Sequence, residues 1–152
     1  MSKPEFIYTT YIKTTPAKLW EALTSRDANK LYWFGAYQES DWKPGSAWKI
    51  TYPDGRIMDS GEILECEKPK RIVIKWRNEW SSELKAEGYS RCTMEIEQTD
   101  GAVKLTVMHS IDRPESKFIG AVSGGWPKIL SNLKSLLETG TVALESKEMK
   151  SA

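Results

Sequence analysis

Few residues of the chain have side chains that could do chemistry. There is one histidine, His109, and there are two cysteines, Cys66 and Cys92. One imidazole and two thiols do not supply the ligand spacing that zinc sites use, so we predict no metal and two reduced thiols packed in strands. No serine lies in a Gly-x-Ser-x-Gly elbow, which disfavours hydrolase chemistry. We therefore expect no cofactor.

Carboxylates are the other candidates for chemistry. Asp41, Asp59 and Glu62 could form acidic pairs, but their spacing fixes no distance between them. General acid or base catalysis needs a partner and a substrate within reach, and the sequence identifies neither. No catalytic residue is predicted from these positions.

Large aromatic side chains are over-represented instead. The 152 residues include 16 Phe, Trp and Tyr, and seven of these are Trp. This is more aromatic surface than a small core of this charge content requires. The excess favours a function in which aromatic side chains line a binding pocket, although a Trp fills a core equally well.

Size and charge exclude several classes of partner. The chain has 22 Lys and Arg against 21 Asp and Glu, a net charge of +1, and no long basic run, so we expect no nucleic-acid partner. No stretch approaches the 18 or so apolar residues of a membrane helix, and residues 1–10 lack the apolar core of a signal peptide. We expect a cytoplasmic protein without membrane insertion. Its length suits one domain over 1–152, with a core at about 6–140 and a tail at 141–152.

The predicted elements that position the aromatic residues and His109 are a sheet, two short helices and one long helix. A strand is predicted at 6–12, a helix from Pro16 with Thr14 or Thr15 as its cap, and a second short helix up to Tyr32. Six more strands are predicted between turn signals, at 36–40, 47–52, 56–66, 71–76, 90–98 and 103–111. Period-two alternation in the last strand makes His109 point inward. Residues 77–88 are expected to form a loop or a turn of helix, with a pocket lid as the alternative.

Apolar residues then recur at helical spacing from Phe118 to Leu137, which predicts a long amphipathic helix ended by Gly140. The segment 124–127, with two glycines and Pro127, predicts a kink or a restart. Strands followed by a helix indicate an α+β fold with an antiparallel sheet, which can curl around that helix.

Several segments of the sequence, in this order and spacing, resemble a known family. They are YIKTTPAKLWEALT at 11–24, SDWKPGS at 40–46, GEILE at 61–65, LTVMHS at 105–110, GWP at 125–127 and LKSLLE at 133–138. Over roughly residues 6–140 the chain resembles the activator of heat-shock-protein ATPase homologue-like family. That family belongs to the START-like superfamily, also called SRPBCC or birch-allergen-like. The resemblance implies the helix-grip fold, in which a curved antiparallel sheet wraps around a long C-terminal helix, with two short helices after the first strand.

The resemblance also implies an apolar cavity between the sheet and the C-terminal helix. In the superfamily such cavities hold lipids, sterols, aromatic polyketides or flavonoids. Carried over to this sequence, the predicted ligand-binding residues are Trp33, Phe34, Trp76, Met94, His109, Phe118, Val122, Trp126 and Leu130. His109 would be the polar contact for a ligand.

Three functions follow as hypotheses. The first is a carrier or sensor of a small hydrophobic molecule, without catalysis. The second is a co-chaperone-like interaction module that regulates a heat-shock ATPase. The third is a polyketide cyclase or hydrolase-like enzyme with His109 as the proton-transfer group. The sequence does not predict the oligomeric state, and fold alone does not decide among the three.

Overall fold

The computed structural model of the protein describes residues 4–145, which form eleven helices and strands. The strands are β1 Glu5–Ile12, β2 Tyr37–Ser40, β3 Ala47–Thr51, β4 Ile57–Glu67, β5 Arg71–Asn78, β6 Ser90–Thr99 and β7 Ala102–Ser110. The helices are α1 Pro16–Thr24, α2 Arg26–Tyr32, α3 Ser82–Lys85 and α4 Lys117–Thr139.

The strands form one seven-stranded antiparallel sheet in the order β1-β7-β6-β5-β4-β3-β2. Strands β2 to β7 make a meander, and β1 returns beside β7. The predicted α+β class and helix-grip architecture are confirmed, since the sheet curves around the C-terminal helix and the two short helices follow β1. Residues 82–85 of the segment predicted as a loop or a turn of helix form α3.

Side-chain caps fix where the helices begin. Thr15 caps α1 by accepting a hydrogen bond from Lys18 N, and Ser25 both follows α1 and caps α2. Ser116 caps α4, and Gly140, in the left-handed conformation at φ 88°, ends it. The predicted Thr cap of α1 and the predicted Gly140 stop are present, whereas the caps Ser25 and Ser116 were not predicted.

The long helix α4 runs through the Gly124-Gly125-Pro127 segment without a restart, which excludes one of the two alternatives expected there. Pro127 removes one backbone hydrogen bond, the one to the carbonyl of Ser123, and residues on both sides of it are buried. Packing of Trp126 and Ile129 therefore outweighs one missing bond.

Two bulges in β4 shape the curvature of the sheet, since pairing shifts at Ile50/Thr51 and at Ile63/Glu65. Gly61 lies between them, opposite Trp76 of β5. A Cβ at position 61 would lie 1.6 Å from the backbone oxygen of Lys75, so only glycine permits this close approach.

Residues 141–145, predicted to belong to a tail with little core material, pack against the domain. Asn132 of α4 holds Leu144 through both of its backbone groups, with Leu144 N donating at 2.6 Å and Asn132 Nδ2 donating to Leu144 O at 2.9 Å. Val142 packs on the core. The rest of the predicted tail, 146–152, lies outside the described residues.

Candidate ligand-binding cavity

A cavity of about 580 Å³ lies between the inner face of the sheet and the first half of α4. It is lined by Trp33, Phe34, Ala36, Tyr52, Pro53, Asp54, Arg56, Met58, Asp59, Trp76, Asn78, Trp80, Leu84, Phe118, Ala121, Val122, Gly125, Trp126 and Ile129. Six of the nine predicted ligand-binding residues are among them: Trp33, Phe34, Trp76, Phe118, Val122 and Trp126. The structure therefore brings most of the predicted wall together around one space.

Three buried indoles form the inner wall. The ring centroids of Trp33 and Trp126 are 5.5 Å apart, those of Trp76 and Trp126 5.7 Å, and those of Trp33 and Trp76 6.4 Å. Trp48 packs against this group, with its ring centroid 4.4 Å from that of Trp76. Aromatic rings at these separations stabilise one another beyond their burial, which favours this arrangement of the wall.

Phe34 reaches the cavity from an unusual backbone conformation. Its φ is 53°, in the left-handed region that bulky residues rarely adopt, and Gly35 follows at φ 88°. A Cβ on Gly35 would lie 2.8 Å from Cγ of Pro53, so this turn is held against the β3–β4 hairpin. Backbone strain of this kind persists only where the surrounding structure fixes it, and it clusters at binding sites.

His109 does not line the cavity, which corrects the prediction that it is the polar contact for a ligand. The ring is fully buried behind Trp76, Trp126 and Phe118. Trp126 Nε1 donates to Nδ1 at 3.2 Å, and Nε2 lies 2.8 Å from the hydroxyl of Ser90, which itself donates to the carbonyl of Trp76. This network assigns the proton of the neutral ring to Nε2.

Burial lowers the pKa of His109 to about 3, so the ring is neutral at physiological pH. Both ring nitrogens already have partners, which leaves none for a substrate. The arrangement gives no support to His109 as a proton-transfer group. Its evident role is to hold the indole of Trp126 in place.

Met94 and Leu130 are also buried away from the cavity. Met94 lies on β6 between Ile72 of β5 and Val107 of β7, whereas the sheet side of the cavity is built by the β3–β4 turn, β4 and β5. Leu130 lies beyond Ile129, the last residue of α4 that borders the space. The resemblance implied both residues as cavity walls, but the cavity occupies only part of the sheet face and part of the helix face.

The polar part of the cavity was not predicted. Asp59 of β4 pairs with Asn78 of β5, and both are buried, at 3% and 6% exposure. Burial raises the pKa of Asp59 to about 7, against the opposing influence of the Trp76 and Asn78 side chains. Among residues 4–145, Oδ1 of Asp59 and Nε1 of Trp76 have no hydrogen-bond partner of normal geometry.

A sequence signal for Asp59 did exist. Side chains two residues apart in a strand point to the same face, so Asp59, Gly61 and Ile63 share one face of β4. Because Ile63 is buried, this alternation places the Asp59 carboxyl on the inner face. An acidic residue at such a position is rarely buried without a partner, which makes it a candidate for function.

The β3–β4 turn contributes an ion pair, Arg56 and Asp54, to the lining of the cavity. Arg56 lies over the ring of Tyr52, 4.8 Å from its centroid, and its Nε donates to Asp54 Oδ2 at 2.8 Å. Hydrogen bonds from the backbone and the side chain of Arg56 lower the pKa of Asp54. The one guanidinium of the lining is therefore paired.

The segment 78–88 covers another side of the cavity. Asn78, Trp80 and Leu84 border the space, and Trp80 is 59% exposed. Glu87 ties the segment to the start of α4 by accepting hydrogen bonds from Lys117 N at 2.8 Å and from Ser116 Oγ at 2.5 Å. The segment predicted as a loop or a lid therefore forms one wall of the cavity.

The described part of the chain contains no cluster of three or more His, Cys, Asp or Glu that could hold a metal ion. Among the same residues no helix is long and apolar enough to cross a membrane.

A curved antiparallel sheet, a long helix across it and an aromatic cavity between them define a helix-grip protein. Within that class the chain matches the family described as Activator of Hsp90 ATPase homolog 1-like protein over residues 13–138. It belongs to this family, as the sequence resemblance predicted. A comparison with curated proteins finds no match.

Solved structures agree with this assignment. An HSP90 activator from Plasmodium falciparum, PFC0360w, is 25% identical, with a TM-score of 0.70 over 88% of this chain and 95% of that one. Protein MLL2253 from Mesorhizobium loti is 22% identical, with a TM-score of 0.74 over 88% and 96%. CalU16 from Micromonospora echinospora is 18% identical, with a TM-score of 0.72 over 90% and 77%. The last two likenesses establish the fold alone.

Proposed function

We propose that the protein binds a small hydrophobic molecule in the cavity between the sheet and α4, without turning it over. The observation that carries the proposal is the cavity itself, about 580 Å³ of space with mainly aromatic and aliphatic walls. Pockets for small ligands span roughly 300 to 1,000 Å³ and combine apolar walls with a few polar groups. Lipids, sterols, aromatic polyketides and flavonoids are the classes to test.

The packing of the surrounding core supports this proposal. Protein interiors are normally close-packed, with few voids larger than a water molecule. Here Trp33, Trp76 and Trp126 pack on one another and on the core but leave the adjacent space open. An apolar ligand would recover the contacts that this space lacks.

Two neighbouring glycines of α4 provide a matched test. Gly125 lines the cavity and Gly124 does not, and a Cβ at either position would meet nothing within 4 Å. Gly125→Leu therefore places a side chain in the ligand space, and Gly124→Leu is the control on the exposed side. Wild type and both variants are titrated with a fatty acid, a sterol, a flavonoid and an aromatic polyketide, with Trp fluorescence and melting temperature as readouts.

At least one ligand class is expected to stabilise wild type and Gly124→Leu, by about 2.7 kcal/mol at a hundred times Kd. Gly125→Leu is expected to lose most of this effect while remaining folded. The proposal fails if no class shifts either readout in wild type. It also fails if Gly125→Leu binds as well as Gly124→Leu.

A co-chaperone-like role is the second candidate. The family assignment and the 25% identity to an HSP90 activator over nearly the whole chain favour it. Co-precipitation with a purified Hsp90-type chaperone and an assay of its ATPase test it directly. Absence of both binding and stimulation overturns this role, and Gly125→Leu should behave as wild type in it because the variant leaves the outer surface unchanged.

A further inference from the structure

The cavity combines aromatic walls with one acidic side chain, Asp59, of which one oxygen lacks a hydrogen-bond partner within residues 4–145. Asp59 is 3% exposed and lines the space, and its Oδ1 has no hydrogen-bond partner among the described residues. The side chains of Trp76 and Asn78 favour the ionised form of this carboxyl, but Oδ1 is left without a donor in this part of the chain, and a buried polar atom without a partner is costly. A ligand that supplies the missing donor would remove that cost.

The charge around Asp59 indicates which donor fits. Apart from Asp59, the charged lining residues are Asp54 and Arg56, which form an ion pair with each other at 2.8 Å. The lining is thus neutral when Asp59 is protonated and negative when it is ionised. A cationic donor would be attracted and an anionic ligand repelled.

The aromatic rings favour the same choice. Trp33, Trp76 and Trp126 lie on the wall together with Phe118, and indole faces attract ammonium groups more strongly than other side-chain rings do. Such attraction is strongest where water is excluded, and these four side chains are all at most 6% exposed.

Resting on the proposed function, we propose that the ligand is an apolar, ring-containing molecule that carries a protonated amine, with the ammonium group at Asp59 and its apolar body between the sheet and α4. The ammonium would donate to Oδ1 of Asp59, the oxygen for which the described residues supply no donor. Fatty acids are therefore not the preferred ligands, and an amine should bind with higher affinity than the corresponding alcohol.

The binding should depend on pH through Asp59. Its pKa of about 7 means that the carboxylate form is scarce at pH 6 and dominant at pH 8. If the amine binds the ionised form, its affinity rises roughly tenfold between these two pH values, in proportion to the competent fraction.

Other titratable groups near Asp59 do not change this expectation. Although partial burial opposes its ionisation, hydrogen bonds from Arg77, Ser60 and Lys85 lower the pKa of Glu79 to about 2. Tyr52 of the β3–β4 turn has a raised pKa, first through burial and then through the charge of Asp59. Glu79 therefore stays ionised and Tyr52 neutral from pH 6 to 8, and the α4 residues that line the cavity carry no titratable group.

Four naphthalene compounds of similar shape test the inference by calorimetry at pH 8. They are 1-naphthylmethylamine, 1-naphthalenemethanol, 1-methylnaphthalene and 1-naphthaleneacetate, titrated into wild type and Asp59→Asn. We expect the amine to bind wild type about tenfold more tightly than the hydrocarbon, as a hydrogen bond to a charged group allows. Asp59→Asn should lose this advantage and the pH dependence, while its affinity for 1-methylnaphthalene stays unchanged.

The outcomes separate this inference from the function on which it rests. If 1-methylnaphthalene binds but the amine is no tighter, or if the alcohol or the acetate is tighter than the amine, the amine proposal is overturned and the hydrophobic cavity stands. If none of the four compounds binds wild type, the proposed function fails and the inference fails with it. Unchanged binding of the hydrocarbon by Asp59→Asn shows that the variant is folded.

Discussion

Asp59 places a cost on the folded state that depends on pH. Its pKa is raised from 3.8 to about 7, so the folded protein holds a proton that the unfolded chain releases above about pH 4. The stability contributed by this proton is fully present below pH 3.8 and is lost as the pH rises through 7.

Replacing Asp59 by Asn removes this dependence. The gain in the free energy of unfolding from Asp59→Asn is expected to be roughly 2 to 3 kcal/mol larger at pH 8 than at pH 5. Urea unfolding at the two pH values measures it, with exposed Asp41→Asn as a control expected to change little. An equal effect of Asp59→Asn at both pH values would show that the carboxyl is ionised throughout.

His109 is expected to remain neutral over the physiological range. Burial lowers its pKa to about 3, so its stabilisation is present above the ordinary value of 6.5 and is lost as the pH falls toward 3. Because the chain has one histidine, a single imidazole signal reports on it by NMR. That signal should not move between pH 8 and pH 5, and a midpoint near 6.5 would mean that the ring is exposed and free to react.

At this scale the sequence predicts types of residue better than their roles. The aromatic excess and the inward direction of His109 follow from composition and alternation. The partners of His109 do not, because Ser90 and Trp126 are 19 and 17 residues away and meet it only through tertiary packing. Asp59 was one of several unassigned carboxylates for the same reason.

Strand β4 needs a glycine where it lies against β5. Gly61 allows β4 to approach β5 so closely that a Cβ would lie 1.6 Å from the Lys75 oxygen. Gly61→Ala is expected to destabilise the protein by roughly 2 kcal/mol or more, because backbone atoms rather than a flexible side chain must move. Denaturant unfolding measures this change.

Gly120→Ala in α4 is the matched control, since a Cβ at that position meets nothing within 4 Å. It should stabilise the protein by up to about 1 kcal/mol, as alanine favours a helix more than glycine does. Equal effects of the two substitutions would contradict the close approach at β4.

Element boundaries were largely predictable, and the reasons are local. Thr15 and Pro16, Ser25, and Gly140 are capping signals that act within one turn of their own helix. The continuity of α4 was not predictable, since the penalty at Pro127 is local but the packing that outweighs it comes from the distant sheet.

At the scale of the whole molecule, the family resemblance predicts an apolar pocket against the C-terminal helix. The structure places this pocket against the first half of α4. The wall from α4 and Trp76 could be anticipated from the resemblance, and the apolar face of α4 from helical spacing. The contribution of the β3–β4 hairpin, with Tyr52, Met58 and Asp59, could not, because spacing along the chain does not fix how far a curved sheet folds over a helix.

The seven indole N–H signals of the protein offer the most direct test of the central claim, that this cavity binds an apolar ligand. Trp33, Trp76, Trp80 and Trp126 line the cavity, whereas Trp20 and Trp42 do not. On titration with 1-naphthalenemethanol, followed by two-dimensional NMR of ¹⁵N-labelled protein, the four cavity signals should shift together and saturate while those of Trp20 and Trp42 stay in place. No saturable shift, or shifts of Trp20 and Trp42 as large as those of the cavity residues, would contradict the account.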